Sequence, residues 1–125
     1  MALELAIPNQ IQSDHIEAQR TLDEYASENT PSGWSSMNQK FQFTLYEPCG
    51  NVQLLAMISD IQRRIGPVAR KLVTETSGLD RLGAEHGAIL QACKNGAVDE
   101  GVDLLRKHVQ TTKKEIVARL RRGFA

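Results

Sequence analysis

The stretch spanning residues 77–123, SGLDRLGAEHGAILQACKNGAVDEGVDLLRKHVQTTKKEIVARLRRG, constrains the fold more than any other part of the chain. It holds two helical patterns separated by Asn95-Gly96. In the first, Leu79, Leu82, His86, Ile89 and Cys93 recur at steps of three and four, the spacing of an amphipathic helix's buried stripe. In the second, Val98, Val102, Leu105, Val109, Thr112, Ile116 and Leu120 form the stripe, with His108 one turn beyond Leu104 at its edge. Asn95 and Gly96 both tolerate the left-handed conformation that ends a helix, so the two helices are expected to pack antiparallel. Two imidazoles, His86 and His108, would then face one interior.

The upstream residues read as further helices. Residues 1–6, MALELA, favour a helix but meet Pro8 almost at once, as the last turns of a longer helix would. Residues 9–27 place Ile11, His15 or Ile16, Leu22 and Tyr25 at near-helical spacing. His15, flanked by Asp14 and Glu17, reads as a surface histidine. After a break over residues 29–33, with Thr30 or Ser32 as a helix cap, Trp34, Asn38, Phe41 and Leu45 mark the next inward face. Gln42 lies one turn beyond Asn38, so two side-chain amides share a face beside large apolar groups. Such amides need partners, because a buried one left unpaired costs about 1–3 kcal/mol. Pro48-Cys49-Gly50 turns the chain and Asn51 caps a long helix. That helix carries Val52, Leu55, Ile58 or Ser59, Ile61 or Gln62, Ile65 and, past a Gly66-Pro67 kink, Leu72. No stretch alternates with period two. The predicted class is all-α, an antiparallel helical bundle of about five to six helices. With 125 residues, 41% of them apolar, residues 1–125 are expected to form one domain around one core.

Charge and cysteine usage narrow the function classes. A net charge of zero gives no overall attraction to nucleic acid or anionic membrane. Six acids against Arg20 in residues 1–30, and seven basic residues against Glu115 in residues 106–122, read as solvated helix faces. The basic run sits where a helix C-terminus favours cations and has no aromatic interleaved for stacking on bases. Cys49 and Cys93 lack CxxC spacing and no secretion signal is present, so a cytoplasmic location with reduced thiols is expected. No apolar run approaches the roughly 20 residues that span a bilayer. Cys93 lies two turns, about 10 Å, from His86 on the same stripe, too far for a nucleophile–base pair, and the chain is read as non-enzymatic.

With the segments in this order, NQKFQFTL followed by CGNVQLL and then EHGAILQACKNGAVDEGVDLLRKH, the chain resembles the FCD domain of GntR-family transcription regulators of the FadR subfamily. The resemblance runs from Ala2 to Leu120. It implies an effector-binding and dimerisation domain that takes a small organic acid or related metabolite inside its helical bundle. In that family the effector often sits beside a divalent metal held by an Asp, a His four residues later and two further His. Carried over, these positions fall on Asn38, Gln42, His86 and His108. Asn38 and Gln42 replace the family's Asp and His with amides, which are weak ligands for a transition metal. The resemblance therefore implies a ligand-binding site on all four residues, with no firm cofactor and at most weakly bound zinc or nickel on His86 and His108. The partners it implies are a small-molecule effector, a carboxylate, and a second copy of the chain in a homodimer. DNA contact would need the winged helix-turn-helix domain that the family places before this one. No such pattern precedes the effector segment here, and the chain is expected to be an N-terminally truncated member. The alternative is a helical interaction or structural bundle derived from such a regulator that no longer senses a ligand.

Overall fold

The computed structural model describes the backbone of residues 2–26, 31–75 and 78–122, with side chains described in these ranges except at 25–26, 31–35, 65–75, 78–82, 116, 119 and 120. The elements are α1 (Ala2–Ala6), a 3-10 turn (Ile7–Asn9), α2 (Gln12–Ala26), α3 (Pro31–Tyr46), a second 3-10 turn (Glu47–Cys49), α4 (Val52–Glu75), α5 (Gly78–Lys94) and α6 (Val98–Arg121). The protein is an all-α helical bundle, with no strand among the described residues.

The predicted punctuation has clear structural causes. Gly96 adopts a left-handed φ of 65°. Its N–H donates to Cys93 O at 3.0 Å while Ala97 N–H donates to Ala92 O at 3.0 Å, which satisfies two carbonyls at the end of α5. At the start of α4, Asn51 Oδ1 accepts from Leu54 N–H at 3.0 Å, the expected cap. Helix α4 continues as one element through Gly66-Pro67, although Pro67 has no N–H to donate to the preceding turn. Gly96→Ala is expected to lower unfolding stability by about 1 kcal/mol, because a Cβ is disfavoured at this φ. Urea unfolding would measure it as a lower midpoint at unchanged slope.

Helix α2 packs on α3 and α5, α3 on α4, α4 on α5 and α6, and α5 on α6, so the helices close a ring around one core. Helix α1 lies under α6 and the second 3-10 turn. Leu3, Ile7, Ala18, Phe41, Leu45, Ile89, Leu90, Cys93 and Leu105 form that core. Gly101 lets the first 3-10 turn approach α6: a Cβ there would meet Ile7 Cδ1 at 2.9 Å.

Single positions on three helices differ from the sequence expectation, while Leu22 on α2, Leu55 and Ile58 on α4, and Val98, Val102 and Leu105 on α6 pack inward as expected. On α6, Val109 is 54% exposed, because the buried face runs through Gly101, Val102, Leu105 and the expected His108. Ile11, just before α2, and Ile16 on it are 63% and 60% exposed, while Ala18 and Thr21 of α2 are fully buried. Small side chains make the close contact there, and Thr21 satisfies its hydroxyl by donating to Glu17 O at 2.9 Å. His15 is half-buried, with Nε2 3.0 Å from Gln10 Oε1. On α4, Val52 and Ile61 face outward, and Leu55, Ile58 and Gln62 take the inner positions. The inward assignments of Tyr25, Trp34, Ile65, Leu72, Leu79, Leu82, Ile116 and Leu120, and the capping role of Thr30 or Ser32, lie outside the described residues.

Candidate functional site

Two polar clusters meet the core on its inner faces. The first joins α5 to α6. His86 is 1% exposed and His108 6%, and their ring centroids lie 4.9 Å apart with planes tilted by 57°. They are 22 positions apart in sequence, and the hairpin turn at Gly96 brings them level. Nδ1 of His108 is hydrogen-bonded to the Glu85 carboxylate, and Thr112 Oγ1 donates to the His108 carbonyl at 3.0 Å. Burial, reinforced by the His108 charge and opposed by Glu85, pushes His86 down to about 3. His86 is therefore a neutral imidazole near neutral pH, able to donate from one nitrogen and accept at the other.

The second cluster joins α3 to α4. Gln62 Nε2 donates to Gln42 Oε1 at 2.5 Å, and Gln42 Nε2 donates to Asn38 Oδ1 at a long 3.5 Å. Gln39 Nε2 reaches the Gln62 carbonyl at 3.4 Å. Phe41, 1% exposed and flanked on α3 by Asn38 and Gln42, connects the clusters: its ring centroid is 4.9 Å from that of His86. The structure thus pairs His86 with His108, pairs Asn38 with Gln42, and brings Phe41, on the same helix as the amides, into ring contact with His86. Glu85 and Gln62 extend these clusters beyond the four residues singled out by sequence. Gln62 continues the Leu55, Ile58 spacing by four residues, and Glu85 directly precedes His86 in the sequence.

The thiols stand apart from this chemistry. Burial pushes Cys93 up to about 11, against a hydrogen bond from Gln10, so it remains a protonated thiol near neutral pH and a poor nucleophile. Cys49 sits half-buried at the second 3-10 turn, where its Sγ accepts from Asn51 N–H at 3.4 Å.

The all-α bundle agrees with one family. The model of the FCD domain matches residues 1–111. The chain belongs to the FCD domain family. FCD domains are the effector-binding and dimerisation domains of GntR-family transcription regulators, which are not enzymes. No curated protein and no solved structure is significantly similar to the chain. No helix among the described residues of this FCD domain is long and apolar enough to cross a membrane.

The donors of this FCD domain fit a resident transition metal poorly. Gln42 Oε1 already accepts from Gln62 and Asn38 Oδ1 from Gln42, and Nδ1 of His108 is engaged by Glu85. The four carried-over positions, two amides and two imidazoles, bring no anionic ligand of their own, the nearby Glu85 carboxylate is engaged by His108, and amide oxygen is a poor match for zinc or nickel. Among the described residues, no group of three His, Cys, Asp or Glu side chains is arranged to hold a metal ion.

Proposed function

We propose that this FCD domain senses a small polar metabolite inside its bundle through His86, His108, Asn38 and Gln42, and carries that signal as a dimer within a cytoplasmic transcription regulator. The observation that carries the reading is the buried pair of imidazoles, 4.9 Å apart and in ring contact with Phe41, on a family scaffold whose role is effector binding. Buried polar groups that converge among apolar neighbours are what a small-molecule site requires. We further propose that the site works without a resident metal, because its amides cannot supply the charge that a dication needs.

A ligand that binds only the folded state must raise the melting temperature. Screening small polar metabolites by thermal unfolding is expected to give hits that stabilise by about 2–3 kcal/mol at a hundredfold excess over Kd. His108→Leu, which keeps the volume and removes the polar atoms, is expected to abolish those shifts. Stabilisation that survives in His108→Leu would move the binding site elsewhere. Absence of any stabilising metabolite would favour a structural bundle instead.

Dimerisation has surface candidates on α4 and α6. Met57 and Ile61, one turn apart on α4, are 62% and 52% exposed, and Val109 and Val117, two turns apart on α6, are 54% and 42% exposed. On α1, by contrast, Ala2, Leu3 and Ala6 are buried and Leu5 is 50% exposed. Light scattering at micromolar concentration is expected to give twice the chain mass of 13.9 kDa. Met57→Glu with Ile61→Glu is expected to shift it to the monomer. A monomer mass for the unaltered chain would contradict the dimer.

A further inference from the structure

Glu85 precedes His86 on α5, yet its side chain crosses to α6, where the carboxylate accepts from Nδ1 of His108. The pair is sheltered, with side-chain exposures of 27% for Glu85 and 6% for His108. While the Glu85 carboxylate is ionised, its negative charge leaves the His108–Glu85 pair with no net positive charge. A carboxylate ligand draws its affinity in a sheltered site from charged donors. On this pair the donor at Nδ1 is already used, and the charge is already matched by a carboxylate belonging to the chain itself. A second carboxylate would enter against Glu85 with no positive charge left on the pair to meet it, and burying an unmatched anion is expensive.

The rest of the site has the opposite character. Asn38, Gln42 and Gln62 each carry donors and an acceptor on one side chain, as a neutral imidazole does at His86. Gln62 holds Gln42 at 2.5 Å, whereas the Gln42–Asn38 contact is long at 3.5 Å, so the first bond fixes the amide of Gln42 and the second is easily exchanged. Groups that both donate and accept match hydroxyls, which do the same.

We infer that Glu85 fills, from within the chain, the place on His108 that a ligand carboxylate would take, so that the site selects an uncharged, hydroxyl-rich ligand of the polyol or sugar class over its carboxylate counterpart. Gln62 belongs to this site as the positioning residue for Gln42. The inference rests on the ligand site proposed above and departs from the carboxylate effector that the family resemblance implies.

Matched probes test it. Polyols of three to six carbons, each paired with the aldonate of the same carbon count, differ only in a terminal hydroxymethyl or carboxylate group. Titration calorimetry on the full chain is expected to find the polyol bound about tenfold or more tightly than its aldonate. Glu85→Gln keeps the size and an acceptor for His108 but removes the charge, and is expected to shift the preference toward the aldonate by about tenfold or more. Asp103→Asn removes an exposed carboxylate elsewhere on α6, paired with Lys107 at 3.0 Å, and should leave the preference unchanged. Should Glu85→Gln fail to fold, Gln62→Leu gives a second reading: polyol affinity falls about tenfold while aldonate affinity changes less. An aldonate preferred by the unaltered chain, or a preference that Glu85→Gln leaves untouched, overturns the inference and leaves the ligand site standing. No binding of any probe, in the unaltered chain or in Glu85→Gln, overturns both together.

Discussion

Replacing Asn38 with Asp and Gln42 with His is expected to convert the interior into a tight site for zinc or nickel. The double change places one carboxylate and one imidazole one turn apart on α3, the helix whose Phe41 ring touches His86 of the His86–His108 pair. Three imidazoles and a carboxylate form a donor set suited to both metals. At metal concentrations about 1,000 times Kd the folded state gains ~4 kcal/mol, which for a domain of this size raises the melting temperature by about 10 °C or more. A chelator should reverse the rise. Before metal is added, Gln42→His deprives Gln62 Nε2 of its acceptor at 2.5 Å, and losing this partly buried hydrogen bond costs about 1 kcal/mol or more. The metal-free double variant should therefore melt below the unaltered protein, and the loaded one above it. If metal leaves the melting temperature of the double variant unmoved, the four side chains do not converge.

Acid should unfold this FCD domain through His86. Burial holds its folded-state value near 3, against about 6.5 in the unfolded chain, so between these limits the unfolded state binds a proton that the folded state refuses. The stabilisation is fully present above pH ~6.5 and declines as pH falls, by up to about 1.4 kcal/mol per pH unit. Between about pH 6.5 and 4.5 most carboxylates remain ionised, which isolates the histidine contribution. Urea midpoints for metal-free protein should fall steeply across that window. His86→Gln, which stays neutral, should flatten the slope; a slope unchanged in that variant would mean that His86 is solvated and not in the core.

The hairpin of α5 and α6 was legible in the sequence because its cues are local: apolar residues at helical spacing and an Asn-Gly pair at the reversal, with Gly96 at φ 65°. Asn51 was legible as a cap for the same reason. The buried face of α2 was not, because its contact surface is made by Ala18 and Thr21, whose value lies in being small, while Ile11 and Ile16 face outward. On α4 the adjacent Ile61 and Gln62 competed for one inward position. Hydropathy favours Ile61, but the need of Gln42 for a partner on a neighbouring helix brings Gln62 inward. His86 and His108 could be placed from periodicity alone. The role of Glu85 could not, since it depends on a contact with a side chain 23 residues away that exists only once α5 and α6 are packed.

The central claim is that His86 and His108 form the effector site, and the chain's three histidines allow it to be read directly. In protein labelled at its imidazoles, a metabolite that raises the melting temperature should shift the nuclear magnetic resonance signals of His86 and His108 together. His15, held by Gln10 at 3.0 Å, should stay where it is. Stabilisation accompanied by a shift of His15 alone, or of no histidine, would contradict the account.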